Sequence, residues 1–210
     1  MRWLLAAGPV AAAQMIAYVT IAGALRPGYR SERNWISQLV LGPGGWLAAL
    51  NLAMCGLWLI LCAAGLRQRL GPGAAARLVT WCGIGLLVIA LVPTDPGIGY
   101  PPGVPTEATA LGLAHQAFSV ALGLTGVAAA ALLGRATGRP RLGLLIATVM
   151  AVTFTAGSIL VLLDAGGVLP GNPSGLLERI ALYTGLCWIA WVSTALRRPT
   201  IRQPAAATTV

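Results

Sequence analysis

The side chains able to do acid–base or ionic chemistry are few in this sequence. Its 210 residues hold five acids and one histidine, namely Glu32, Asp95, Glu107, Asp164, Glu178 and His115. A carboxylate beside a histidine can orient the ring, so that the imidazole acts as a general base or acid near neutral pH. Asp95 and His115 are therefore the candidate catalytic pair. The alternatives are that Asp95 caps a turn and that His115 makes a structural hydrogen bond.

Ser37 and Tyr100 are candidates for binding a polar group of a ligand. Ser37 lies in a polar segment after Arg26, where Ser31 and Asn34 precede apolar residues, a pattern typical of a short capped helix. Tyr100 lies in the segment 93–105, which has five prolines and three glycines. Such a segment restricts φ and favours tight turns, so we expect an ordered loop.

Glu178 and Arg179 are further candidates for binding, and both lie close to the start of an apolar run. Ser174 is expected to cap the helix that follows, with Glu178 in the first turn, where a carboxylate is favourable. Arg179 is expected either to pair with a carboxylate or to bind an anion. The carboxylates considered for that pair are Asp95, Glu107 and Asp164.

Several familiar chemistries are excluded by the residues present. One histidine cannot supply bis-histidine haem ligation or a three-histidine metal site, and the sequence has no HExxH, CxxC, GxSxG or Walker A motif. All four cysteines lie inside apolar runs, as expected of small buried side chains. We therefore expect neither a metal nor a cofactor.

The elements that must position these residues are membrane-spanning helices. Hydrophobic residues make up 57% of the chain and charged residues 9%, against about 25% charged residues in a soluble domain. The apolar runs are continuous, which favours helices over a membrane β-barrel. The predicted fold is an all-α bundle of six transmembrane helices in a single domain, 1–197, followed by a disordered tail, 198–210. The predicted spans are 3–25, 45–66, 78–92, 110–133, 142–163 and 180–196. The first could alternatively be a signal peptide cleaved near Ala22-Gly23-Ala24.

The arginines predict the orientation in the membrane. With both termini in the cytoplasm, ten arginines fall in the inner segments and four in the outer ones, in agreement with the positive-inside rule. All five acids and His115 then lie on the outer side. Any acid–base or ion chemistry is therefore expected at the outer mouth of the bundle.

Four stretches of the chain resemble a known family. They are Trp35-Ile-Ser-Gln-Leu39, Thr94-Asp-Pro-Gly-Ile-Gly-Tyr-Pro-Pro-Gly-Val-Pro105, Gly112-Leu-Ala-His115 and Gly175-Leu-Leu-Glu-Arg-Ile180. In these, and over nearly its whole length, the chain is similar to the bacterial integral membrane family catalogued as domain of unknown function 998 (DUF998). The resemblance implies six helices and a location in the bacterial cytoplasmic membrane, and it implies no settled activity. The positions that match its motifs are Ser37, Asp95, Tyr100, His115 and Arg179.

Three hypotheses about function remain open. In the first, Asp95, Tyr100, His115 and Arg179 form an outward-facing polar pocket, which binds a membrane lipid or another amphipathic small molecule. In the second, the chain is a membrane enzyme of hydrolase or terpenoid-cyclase type that uses Asp95 and His115. In the third, it is a structural protein that supports a membrane partner or a homo-oligomer. The net charge of +9 is attributed to orientation signals, and no nucleic-acid partner is expected.

Overall fold

The computed structural model describes residues 2–198 and contains the six helices that the apolar runs predict. They are α1 (Arg2–Leu25), α2 (Gly45–Leu70), α3 (Ala74–Leu91), α4 (Ala110–Ala136), α5 (Pro140–Ala165) and α6 (Ser174–Arg197). Each is long and apolar enough to cross a membrane. A five-residue 3₁₀ helix, Ile36–Val40, lies between α1 and α2, where the sequence predicts a short helix, and is called the loop helix below. The predicted disordered tail lies outside the described residues, apart from Arg198.

The helices form a ring in chain order. Each one packs against its neighbours in sequence, and α6 closes the ring by packing against α1. Three-residue connections, 71–73 and 137–139, join α2 to α3 and α4 to α5 at one end. The longer connections, 26–44, 92–109 and 166–173, lie at the other end, called the loop end below. The loop end is the side that the arginine distribution predicts to face outward.

Most of the buried hydrophobic core lies on one side of the ring. It consists largely of side chains of α1, α2 and α3, such as Met15, Leu66 and Val79. On the other side, Gly134 of α4 lies against Gly143 of α5 so closely that a Cβ on either residue would overlap the partner's backbone. Small residues permit this kind of approach between membrane helices.

The helix α1 is an integral member of the ring. Met15 is completely buried, and the Gln14 side-chain amide donates a 2.9 Å hydrogen bond to Oδ1 of Asn51 in α2. The segment Ala22-Gly23-Ala24, weighed above as a cleavage site, lies in the last turn of this helix.

The start of α6 lies within one residue of the predicted position. The helix begins at Ser174, six residues before the predicted apolar span 180–196, and Glu178 and Arg179 lie inside it, as expected for a helix that opens at this serine. Ser174 does not cap the helix as predicted: it is the first helical residue, and its own N–H donates to Oδ1 of Asn172 at 3.1 Å. The acceptors for the next two N–H groups belong to the connection between α1 and α2.

Candidate functional site

The connection between α1 and α2 is seated on the start of α6. The free backbone N–H groups of Gly175 and Leu176 donate to the carbonyl oxygens of Arg33 and Glu32, at 3.2 and 2.9 Å. The hydroxyl of Ser174 donates to the same Arg33 oxygen, at 3.1 Å. A helix start must find acceptors for its first N–H groups, and here a distant loop provides them.

The Arg179 side chain holds this loop against α6 through hydrogen bonds. Its Nη1 donates to the carbonyl oxygens of Asn34 and Gly175, each at 2.8 Å, and its Nη2 donates to the hydroxyl of Tyr29. The side chain is buried, and its guanidinium carbon lies 5.6 Å from the centre of the Tyr29 ring. Burial raises the pKa of the Tyr29 phenol well above its ordinary value, against the opposing effect of Arg179, so the phenol stays neutral. It donates in turn to the Trp35 carbonyl, at 2.9 Å.

The predicted pairing of Arg179 with a carboxylate is wrong. Among residues 2–198 the ion pairs are Arg33 with Asp164, at 3.3 Å, and the exposed pair Arg30 with Glu32, at 3.0 Å. The position of Arg179 in the first turns of α6 places it next to loop carbonyls, and a guanidinium can use several of these at once. Arg179 is therefore a clamp between elements in this structure.

Tyr100 belongs to the same closure of the loop end. The Gln38 side chain donates to the carbonyl oxygen of Gly97, at 2.6 Å, and the Asn34 side chain to that of Ile98, at 3.1 Å. The Tyr100 ring is buried and meets the Tyr29 ring edge-on, with centroids 5.3 Å apart. The segment 93–105 therefore has the ordered path that its prolines and glycines predict, and Tyr100 packs beneath it.

Asp95 and His115 make separate contacts and share no hydrogen bond with each other. The two oxygens of Asp95 accept from the backbone N–H and the hydroxyl of Thr109, at 2.8 and 2.7 Å. Thr109 itself caps α4 by accepting from the N–H of Gly112, at 3.0 Å. His115 is buried, and its Nδ1 lies 2.7 Å from the carbonyl oxygen of Val92 at the end of α3. That oxygen can only accept, so the proton is on Nδ1. Within residues 2–198 the buried Nε2 has no hydrogen-bond partner.

Below the loop helix, the ring of helices contains a partly open cavity of about 120 Å³. Its walls come from α2 to α6, and its ceiling at the loop end comes from the loop helix and Trp35. The walls are almost entirely apolar, and include Leu86, Leu122, Phe154, Leu182 and Ile189. Near the far end, the indole nitrogen of Trp188 donates to the Ala130 carbonyl, at 3.1 Å. A space of this size far exceeds the roughly 10–15 Å³ that one water needs, and an apolar wall gives water few partners.

Two of the predicted binding residues, Ser37 and Glu178, line this cavity. Oε2 of Glu178 accepts a 2.7 Å hydrogen bond from the backbone N–H of Ile36, which fixes the carboxyl under the loop helix. No hydrogen bond is found for Oε1 within the described chain. Asp95, Tyr100, His115 and Arg179 are not among the residues that line the cavity.

The sequence reasoning missed two polar residues of the cavity wall, Trp35 and Ser119. Trp35 is buried, and its indole nitrogen has no acceptor within residues 2–198. Ser119 follows His115 by four residues on α4, so the two share a helix face. That spacing could have identified Ser119, because the buried His115 marks the inward face. Trp35 entered the sequence analysis only as part of the stretch Trp35-Ile-Ser-Gln-Leu39, and no local signal marks its indole as a cavity donor.

The arrangement can hold an apolar molecule that carries one polar group. No group of three or more metal-binding side chains occurs in the described part of the chain. The carboxyl of Glu178, together with the hydroxyls of Ser37 and Ser119 and the indole of Trp35, gives the cavity its hydrogen-bonding groups. The other lining side chains are hydrocarbon, glycine or sulfur-containing, apart from the indole of Trp188, which is bonded to Ala130.

Comparison with known proteins identifies one family. No curated protein and no solved structure gives a significant match to the chain. The family model described as "Protein of unknown function (DUF998)" matches residues 7–195, which include all six helices almost completely. The chain therefore belongs to the DUF998 family, and its six apolar helices are those of a multi-pass membrane protein.

Proposed function

We propose that the protein binds a lipid or another amphipathic small molecule in the cavity beneath the loop helix. The observation that carries the proposal is a carboxyl, that of Glu178, in the wall of a mostly apolar cavity inside the helix ring. An ionisable group inside a membrane protein is costly and usually serves a partner or a ligand. The proposed pocket differs from the one expected from sequence, because its polar groups are Glu178, Ser37, Ser119 and Trp35.

No observation favours the enzyme alternative. The Asp95 carboxyl is occupied by Thr109, and the His115 ring is held by the end of α3. The pair therefore lacks the direct contact through which a carboxylate orients a catalytic imidazole.

We also propose that the loop end faces away from the cytoplasm of a bacterial cell, with both termini inside. Six arginines lie at or beside the two short connections at the opposite end, namely Arg67, Arg69, Arg77, Arg135, Arg139 and Arg141. The positive-inside rule supports this orientation. A ligand would then reach the cavity from the outer leaflet or from between the helices.

The proposal is tested by native mass spectrometry of the full chain, purified gently from its own membrane, with extraction and identification of bound molecules. A discrete molecule should co-purify with the wild type. The variant Gly126→Leu, which places a side chain in the cavity, should lose it. The matched control Leu124→Phe, at a position 65% exposed on the same helix, should retain it. Bulk lipid alone, equal in all three proteins, would contradict the proposal.

A further inference from the structure

The polar groups that line the cavity indicate which polar group the bound molecule has. We infer that the ligand is a neutral lipid alcohol, whose hydroxyl binds at Glu178 and whose single hydrocarbon chain lies between α4, α5 and α6. The inference rests on the proposed function and specifies the ligand class for that same cavity.

Charge excludes anionic head groups. Glu178 is the one charged residue among those that line the cavity. A fatty-acid carboxylate or a phosphate placed in this cavity would be a desolvated anion, and no cationic side chain lines the cavity to pair with it. The guanidinium of Arg179 cannot offset this, because it is already engaged by Asn34, Gly175 and Tyr29.

The hydrogen-bond donors and acceptors of the cavity favour an alcohol over an amine as the ligand. Glu178 leaves Oε1 free as an acceptor, whereas the buried indole nitrogen of Trp35 is a donor without an acceptor. A hydroxyl can both donate and accept, so it can serve a carboxylate and a donor together. An ammonium group has three donors and no acceptor, and it would leave Trp35 unpaired. The hydroxyls of Ser37 and Ser119 can act in either direction.

The size and wall of the cavity fit one hydrocarbon chain. A volume of about 120 Å³, bounded by Gly126 and Gly185 on facing helices, leaves space that a lipid with two acyl chains would exceed. Met150 lies at the edge of this space, where its terminal methyl would contact a Cβ at either glycine. Methionine is flexible and can adjust to the shape of a chain.

The test is competitive photo-labelling of the full chain, reconstituted in vesicles of phosphatidylethanolamine and phosphatidylglycerol. The probe is a dodecanol with a diazirine in its chain, and the competitors are 1-dodecanol, 1-dodecylamine and dodecyl methyl ether. We expect labelled peptides from α4, α5 and α6, and 1-dodecanol should compete about 10-fold better than the ether, the effect of one hydrogen bond to a charged group.

Variants test whether the Glu178 carboxyl causes the preference for 1-dodecanol over the ether. In Glu178→Leu, 1-dodecanol should compete with the probe no better than the ether does. In Ser119→Ala, 1-dodecanol should compete less strongly than in the wild type, although the contact between Glu178 and Ile36 is kept. The matched control Glu107→Gln, at an exposed position, should behave as the wild type. A diazirine-bearing dodecane, used as a second probe, should label the same peptides in all four proteins, which shows that the cavity has kept its fold.

The outcomes separate the two proposals. Equal competition by the ether, or better competition by the amine, would overturn the alcohol assignment and leave binding in the cavity standing. Labelling spread over lipid-facing peptides, with no competition by any of the three compounds, would overturn both.

Discussion

Filling the cavity from α4 should stabilise the ligand-free protein and abolish binding. A Cβ at Gly126 would meet the flexible terminal methyl of Met150 at 3.3 Å, with no other atom recorded within 4 Å. Because Gly126 lines the cavity, a leucine there can extend into empty space without displacing backbone.

The expected magnitude follows from the volume. A void costs about 24 cal/mol per Å³, so a cavity of about 120 Å³ corresponds to about 3 kcal/mol. A leucine side chain that fills roughly half of it should raise the free energy of unfolding by about 1–2 kcal/mol. A ligand at 100 times its Kd would stabilise the wild type by about 2.7 kcal/mol. The variant is therefore expected to be the more stable protein without ligand and the less stable one with it.

The assay is reversible unfolding in mixed micelles, after delipidation, with and without 1-dodecanol. Leu124→Phe is the control. Its side chain faces lipid, so this variant should have the wild-type free energy of unfolding both with and without 1-dodecanol. The reasoning is refuted if Gly126→Leu is destabilised by more than about 1 kcal/mol, the sign of an overpacked site. It is refuted equally if the variant keeps the wild-type response to 1-dodecanol.

Substitutions at four other positions test the structural roles assigned above. Arg179→Met should lower the free energy of unfolding by about 2–4 kcal/mol, because hydrogen bonds to a buried charged group are lost; no loss in the same unfolding assay would contradict its role as a clamp. Asp95→Ala should lower the free energy of unfolding by about 1–2 kcal/mol, because Thr109 at the start of α4 loses its acceptor, and Asp95→Asn should lower it less. Equal losses in the two variants would show that the contact between Asp95 and Thr109 is unimportant. Above pH 10 the unfolded chain loses phenolic protons that folded Tyr29 retains, so the stability of the wild type should fall more steeply with pH than that of Tyr29→Phe; parallel pH profiles would contradict a buried neutral phenol. Gly134→Ala should destabilise the contact between α4 and α5, and a neutral result would contradict their close approach.

The six helices could be predicted because lipid imposes a requirement that a single segment must meet. A helix of about 20 apolar residues crosses the hydrocarbon core, and each span of this chain can be recognised from its own segment of sequence. The partners of Arg179 at the start of α6 could not be predicted in the same way, because they come from a distant part of the chain. The loop after α1, more than 130 residues away in sequence, supplies acceptors for this helix start and covers the guanidinium.

The candidate site was only partly predictable for the same reason. Residue type identified Ser37 and Glu178 as binding residues, and both line the cavity. The cavity itself arises where Gly126, Gly185 and the loop helix meet from different elements, and no local pattern encodes such a meeting. Asp95 and His115 are close enough in sequence to suggest a pair, but each one finds a partner at a different helix end.

The most direct test of the central claim is an experimental density map of the cavity. The full chain would be purified with its bound lipids, placed in nanodiscs with a rigid antibody fragment, and imaged by electron cryomicroscopy. The account predicts one elongated density between α4, α5 and α6, with its end within hydrogen-bonding distance of the Glu178 carboxyl. A cavity closed by repacked side chains, or one that contains only water, would contradict it.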